Sequence, residues 1–283
     1  MLSIRRMRRA DIPFAVRVTG QENWGIPAGD FERILHLNPL GSFVAIEGKQ
    51  RVGLTTTTAY GRQIAWIGNV VVKKTHRDRH IGQYLVDHAV NYLSEQRVKH
   101  TALYCFKHNV RFYEKLGFVR GQKFDRLRRK RKPLHNPTPI TSSANSLTLS
   151  SLLRMDRRAF GADRRRLITR LLNAGLGWYL GYATGSSATY ILIKNYRDMY
   201  ELGPWISFGL NEAELDSLLQ VVLSKTSGKP IEASCPLNDL RVSRIMKKND
   251  FRLINEGRVM FHGKVAKIGK PRSIIANGFL DKG

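Results

Sequence analysis

The residues best suited to do chemistry lie at positions 70–83, where an apolar segment leads into a basic turn. Arg77 and Arg79 lie in this turn, and from Ile81 onward apolar residues recur every four positions, which predicts an amphipathic helix. The first N–H groups of a helix have no intrahelical acceptor, and its dipole is positive at that end. The turn is therefore suited to bind a pyrophosphate. Composition alone equally favours a second interpretation, in which the basic side chains are simply solvated.

A second candidate group lies at positions 110–118, around Tyr113. The segment predicts a short helix that ends at Gly117, a residue typical of helix C-termini. A buried tyrosine beside a thioester can donate its phenolic proton to a leaving thiolate. Taken alone, the segment is more typical of aromatic residues that pack in a core.

Together, in this order and spacing, the two segments resemble the GNAT superfamily of acyl-CoA-dependent N-acetyltransferases. The family signature, Gln/Arg-x-x-Gly-x-Gly/Ala after an apolar strand, aligns with residues 77–82, where His80 replaces the first glycine. The Tyr-Glu-Lys-x-Gly-Phe run typical of the family aligns with residues 113–118. Many members carry an asparagine before the tyrosine helix. Phe106 lies near that position here, and the nearby His108 and Asn109 are candidate substitutes.

The resemblance implies acetyl transfer from acetyl-CoA to an amine by direct attack, with Tyr113 as the general acid. It implies that the cofactor lies between two splayed strands and binds backbone and side-chain groups of one set of residues: Val70, Val71, Val72, Arg77, Asp78, Arg79, His80, Ile81, Gly82, Gln83 and Asn109. Trp24, Tyr60 and Trp66 are candidates to line the acceptor groove. No metal is expected.

The general base is not assigned by the sequence. Many relatives use a glutamate on the strand before the phosphate turn, but residues 65–72 contain no acid. Four other side chains remain as candidates: Glu22, Asp30, His76 and His108. Each is more typical of a structural or solvated position.

The elements that position these residues alternate between strand and helix patterns, which predicts an α+β (mixed α/β) fold. Residues 156–164, 202–205 and 258–260 resemble the C-terminal domain of a tandem GNAT subgroup. This resemblance implies two tandem GNAT-like domains, each a mostly antiparallel mixed sheet flanked by helices, with a splayed strand pair in the first. We expect a catalytic domain at 1–132, a linker rich in proline and serine at 133–146, and a degenerate domain at 147–283. The nearly all-basic run 126–132 is expected to begin the linker, and the segment after Lys264 to be peripheral.

Composition limits the partners. With 48 Lys and Arg against 22 Asp and Glu, the formal charge is +26, which favours association with polyanions. A nucleic-acid-binding protein on a degenerate GNAT scaffold is therefore the alternative hypothesis. The acceptor is either a small molecule or a protein, and the oligomeric state is not determined.

Two distant cysteines favour a reducing, cytoplasmic location, and no apolar run is continuous enough to predict a membrane association.

Overall fold

The computed structural model describes residues 1–131, 147–226, 228–237 and 239–283, so the predicted linker at 133–146 lies outside the described residues. The N-terminal half places three antiparallel strands before the strand that leads into the basic turn. Its elements are β1 (Leu2–Arg6), α1 (Ile12–Gly20), α2 (Ala28–Leu37), β2 (Ser42–Glu47), β3 (Gln50–Tyr60), β4 (Ile64–Val72), α3 (Ile81–Glu95), β5 (Thr101–Phe106), α4 (Val110–Glu114) and β6 (Phe118–Arg129).

The C-terminal half repeats much of this order. Its elements are α5 (Leu149–Phe160), α6 (Arg165–Asn173), β7 (Gly177–Thr184), β8 (Ser187–Asn195), β9 (Tyr200–Phe208), α7 (Glu212–Lys225), β10 (Ile231–Pro236), α8 (Leu240–Lys248), β11 (Arg252–His262) and β12 (Ile274–Ala276). Within the described residues, no helix has the length and apolar character needed to cross a bilayer.

All of the named strands belong to one mixed sheet, in the order β1-β2-β3-β4-β5-β11-β6-β10-β9-β8-β7, with β12 paired to β9. Two pairs in this sheet are parallel, β4 with β5 and β9 with β10, one in each half. Helices pack against the sheet and bury their apolar faces there. The expected mixed α/β architecture with a flanked mixed sheet is thus confirmed.

The two halves exchange strands. β11, from the C-terminal half, lies between β5 and β6, and Gly257 is opposite both Phe106 and Phe124. β6, from the N-terminal half, pairs in turn with β10, from Ile231↔Arg129 to Pro236↔Phe124. Backbone hydrogen bonds therefore join the halves, in addition to side-chain packing.

The expectation that the basic run begins a linker is wrong for residues 126–129, which lie in β6. Arg126 is buried and pairs with two carboxylates, Glu201 at 3.1 Å and Glu232 at 2.7 Å. Those two glutamates lie on β9 and β10, far from Arg126 in the sequence. The residues next to Arg126 in the sequence therefore do not reveal that its charge is paired. Burial of an arginine is tolerated here because its guanidinium is paired and hydrogen-bonded.

The expectation of a peripheral end is also wrong for residues 274–283, which we call the tail segment. β12 begins this segment and pairs with β9, at Ile274↔Ile206 and Ala276↔Trp205. The β9–β10 pairing stops at Leu202↔Ala233, and the tail enters the gap, where the N–H of Asn277 donates to the Ser234 carbonyl at 2.7 Å. The remaining residues cross to β3 and β4, where the Tyr60 hydroxyl donates to the Lys282 carbonyl at 2.5 Å.

Candidate active site

The central feature of the candidate site is an opening between β4 and β5. These strands are paired only at Ala65↔Thr101 and Trp66↔Ala102, so beyond this point the facing edges of the two strands are not joined. A β-bulge adds to the divergence, because Asn69 and Val70 of β4 are opposite the single residue Thr55 of β3. The backbone of residues 70–72 thus has one edge that pairs with no strand, on which Arg77 contacts only the Val72 carbonyl. The splayed pair expected from the resemblance is present.

The turn after β4 has an unusual backbone. Asp78 and His80 both adopt left-handed conformations, with φ of +61° and +58°. Aspartate and histidine are among the few non-glycine residues that are enriched in this region, which explains how His80 is accommodated at a glycine position of the signature. The His80 side chain is exposed and does not fill the space beside Gly82. That space is bounded by Phe112, whose Cζ would lie 3.5 Å from a Cβ built on Gly82.

The turn leaves a row of unsatisfied donors. The backbone N–H groups of residues 78–83 donate to no acceptor among the described residues, whereas the N–H of Tyr84 donates to the His80 carbonyl at 3.0 Å. These groups lie at the N-terminus of α3, a 15-residue helix with no acidic residue in its first turn and no side-chain cap. Free donors and a positive dipole end together make a site for an anion.

Arg77 and Arg79 do not supply the mobile charge that their position suggests. Arg77 pairs with Glu22 at 2.5 Å, and its Nε donates to the Val72 carbonyl at 3.3 Å. Arg79 forms a bidentate pair with Glu47, at 2.9 and 2.5 Å. The backbone, rather than free side-chain charge, is therefore the main donor set, and Arg77 ties the α1–α2 loop to the turn.

Tyr113 lies on α4 and packs against Phe118, with ring centroids 5.8 Å apart. Only 8% of the residue is exposed, and burial, with a smaller contribution from Cys105, raises the pKa of Tyr113 above its usual value. No hydrogen bond contributes to this shift, so the group is a protonated hydroxyl without an acceptor in the described part of the chain. Asn109 is exposed just before α4.

The three aromatic residues expected in the acceptor groove lie in different surroundings. Trp24 is 41% exposed in the α1–α2 loop. Tyr60 and Trp66 are buried and are covered by the tail segment, whose Gly283 lies against the Trp66 indole. Trp66 also stacks on Tyr104, with centroids 4.3 Å apart. Their roles in acceptor binding remain predictions.

The four candidate bases are engaged elsewhere or exposed. Glu22 pairs with Arg77, and Asp30 pairs with Arg33 on the same helix. His76 lies 3.7 Å from Glu47, and His108 is exposed beside Phe106. Asp281, an acid that the sequence did not single out, lies against β4 at Asn69 and is ion-paired with Lys282 at 2.5 Å. Its 212-residue separation from Asn69 leaves no local sequence signal.

Comparison with known proteins agrees with this geometry. A model of the acetyltransferase (GNAT) family matches residues 6–118, and a model of an acetyltransferase (GNAT) domain matches residues 152–272. The two matches together cover most of the chain and both described halves. The chain belongs to the GNAT acetyltransferase family. It is a tandem member, with one GNAT domain in each half.

Relatives of this tandem GNAT protein are distant in sequence. Holothin acyltransferase of Pseudoalteromonas sp. (strain SANK 73390) is 24% identical over 270 residues, which are 93% of this chain and 88% of that protein. A crystal structure of an acetyltransferase-like protein from Pyrococcus horikoshii matches with a TM-score of 0.81 at 20% identity, over 100% of this chain and 96% of that one. A tandem GNAT protein from the clavulanic acid biosynthesis pathway matches with a TM-score of 0.66 at 12% identity, over 94% and 100%. The structural matches establish the fold.

The second GNAT domain lacks the features that make the first an anion site. Its helix α7, which corresponds in order to α3, begins with a capping box in which Asn211 and Glu214 satisfy each other's backbone N–H groups. Glu212 and Glu214 also place two carboxylates in the first turn, where they repel an anion. The opening between β9 and β10 is occupied by β12. At the equivalent position this domain thus has a capped, acidic helix N-terminus, and β12 covers the strand edge.

Proposed function

We propose that the protein transfers the acetyl group of acetyl-CoA to an amine acceptor, and that the first GNAT domain carries the reaction. The observation that supports this most strongly is the opening between β4 and β5, with six free N–H groups at its end. Such a row fits a pyrophosphate, and the free edge of residues 70–72 fits the amide groups of a pantetheine chain. When bound, acetyl-CoA supplies the activated thioester carbonyl.

Within this proposal, residues 78–83 hold the pyrophosphate through backbone N–H groups, and Gly82 leaves room for close approach. Val70, Val71 and Val72 orient the pantetheine by strand-like pairing. Tyr113 keeps its proton at neutral pH and delivers it to the CoA sulfur as the C–S bond breaks. The exposed Asn109 lies just before the helix that carries Tyr113.

Calorimetric titration with acetyl-CoA tests the binding step, and a screen of amines with detection of the free thiol tests the reaction. We expect saturable binding, and thiol release that depends on an acceptor. The screen includes polyamines, amino acids, aminoglycosides and lysine peptides, because the fold does not select among acceptors. An absence of heat at millimolar acetyl-CoA would refute the proposal.

We also propose, on the strength of the +26 charge, that the protein associates with nucleic acid. Contacts of this kind weaken steeply as salt rises, because neutralised phosphates release counterions. Retention of duplex DNA or RNA measured across a salt series tests this; a flat response would contradict it.

Both cysteines are buried free thiols, and we propose a cytoplasmic location in agreement with a reducing compartment.

A further inference from the structure

The acceptor amine must lose a proton for acetyl transfer to finish, and β4 offers no carboxylate for this purpose. Side chains along β4 alternate between the two faces of the sheet. Ala65 and Ile67 pack with α3, so Trp66 and Gly68 face the opposite side. If a cofactor were held at the N-terminus of α3, its thioester would reach the opening from the α3 face, and the acceptor would approach from the face that carries Trp66 and Gly68.

The tail segment lies on that other face, directly against β4. A Cβ built on Gly68 would overlap the backbone carbonyl of Asp281, so the tail can approach this closely only because residue 68 is glycine. The Asp281 carboxylate accepts a hydrogen bond from the Asn69 side-chain amide at 3.3 Å. Asn69 is the bulge residue, and it immediately precedes Val70, whose backbone faces the opening. A carboxylate is thus held next to the point where the strands part.

Several contacts fix this position. β12 anchors the start of the tail segment between β9 and β10, and Arg164 donates to the backbone oxygen of Gly283 at 2.6 Å. The Asn69 amide is itself oriented, because it also donates to Thr56 Oγ1 at 3.0 Å. Asp281 retains 21% side-chain exposure, which leaves one side of the carboxylate accessible.

We infer that Asp281 binds the acceptor amine and accepts its proton. This inference rests on the proposed acetyltransferase function. An acceptor that arrives as an ammonium first gives one proton to the Asp281 carboxylate. The neutral nitrogen then forms a bond to the acetyl carbon, its second proton passes to solvent, the C–S bond breaks, and the thiolate takes the Tyr113 proton. The products are the acetamide and free CoA thiol. Proton exchange through solvent then restores Tyr113 and Asp281.

The charged and titratable groups around Asp281 come from several elements. Lys282 Nζ lies 2.5 Å from its carboxylate, and four further groups interact with it electrostatically: Arg33 of α2, Tyr60 of β3, Lys194 of β8 and Tyr196.

Asp281→Asn tests the inference, with Asp281→Glu as the conservative variant and Asp198→Asn, at an exposed position, as the matched control. We expect Asp281→Asn to lower kcat by about 10²-fold or more at neutral pH while acetyl-CoA affinity stays unchanged. The deficit should shrink as pH rises toward the pKa of the acceptor, because a neutral amine needs less assistance. Asp281→Glu should recover most of the rate, and Asp198→Asn should match the wild type.

A deficit that is the same at every pH would overturn the inference, as would an Asp281→Asn enzyme of normal rate. A wild-type protein that binds acetyl-CoA but acetylates no amine would instead overturn the proposed function, and the inference with it. The two failures are therefore distinguished by the wild-type rate alone.

Discussion

At Tyr113, the surroundings favour a hydroxyl that keeps its proton. The ring packs among apolar residues, and its hydroxyl has no partner in the described part of the chain. A phenol in such a place stays neutral across the physiological range, so its O–H is available to a sulfur that develops negative charge beside it. The residue is therefore suited to protonate a thiolate, and unsuited to act as a base.

Replacement of Tyr113 by phenylalanine should slow turnover by about 10²–10⁴-fold if chemistry limits the rate. Acetyl-CoA affinity, measured by calorimetry, should change little, since only a hydroxyl is lost. Because burial raises the pKa of Tyr113, its deprotonation should produce no decline in rate between pH 7 and about pH 10. Tyr182→Phe, in β7 of the other half, is the control; equal rates for the two variants would contradict the assignment.

A buried carboxylate in the contact between the halves makes stability depend on acid. Burial opposes ionisation of Glu201, but the charges of Lys194 at 2.5 Å and Arg126 at 3.1 Å hold its pKa at about 2. The pKa is lowered relative to the unfolded chain, so the stabilisation is complete above about pH 4.5 and is lost as pH falls toward 2. The loss is on the order of 3 kcal/mol.

Glu201→Gln should therefore lower the free energy of unfolding at neutral pH and give a shallower decline between pH 5 and pH 2. Urea unfolding at a series of pH values measures both effects. Glu212→Gln, which removes an exposed partner of Arg244, is the control and should change little. A wild-type decline that persists unchanged in Glu201→Gln would show that other groups cause it.

At the scale of elements, the N-termini of α3 and α7 differ in ways that favour anion binding at α3 alone. In α3 the first-turn positions are Ile81, Gly82 and Gln83, and their N–H groups donate to no acceptor within residues 1–131, 147–226, 228–237 and 239–283. In α7, Glu214 occupies the position that corresponds to Gln83 and closes the cap. In the same fold, a few side chains in the first helical turn thus decide whether the helix N-terminus is suited to bind an anion or is capped by its own carboxylates.

Gln83→Glu makes α3 resemble α7 at this position without changing its size. A carboxylate there stabilises the helix through its dipole but repels a pyrophosphate, so the melting temperature should hold or rise slightly while the Kd for acetyl-CoA increases several-fold. Calorimetry and thermal unfolding measure the two quantities. Gln96→Glu, at the other end of α3, is the control and should leave the Kd unchanged. Unchanged affinity in Gln83→Glu would place the pyrophosphate elsewhere.

Local patterns were sufficient to predict the parts of the site that are close in sequence. The four-residue spacing of Ile81, Leu85, Ala89 and Leu93 predicts helix α3, and all four side chains are buried in the structure. Other features depend on residues far apart in the chain. Phe106 pairs with Gly257, and Asn69 contacts Asp281, so neither the strand exchange nor the tail over β4 has a local signal. The burial of Arg126 was missed for the same reason, because its acids lie on other strands.

For the whole molecule, the shared sheet makes the halves dependent on each other. β11 completes the sheet of the first half beside β5, and β6 completes that of the second beside β10. Neither half can unfold without exposing strand edges of the other. We therefore expect one cooperative transition rather than two.

Hydrogen exchange measured against urea concentration tests this expectation, with peptides from α3 and α7 reporting on the separate halves. Their midpoints should coincide, since both helices pack on one continuous sheet. Midpoints separated by more than the experimental error would show that the halves unfold independently.

The placement of β12 has a consequence for stoichiometry. Its pairing with β9 and the contact of Asn277 with β10 occupy, in the second half, the gap that remains open in the first. We therefore expect the two GNAT domains to share one nucleotide site rather than to carry one each. Titration to saturation should give one equivalent of acetyl-CoA per polypeptide, and a value near two would mean that β12 can be displaced by ligand.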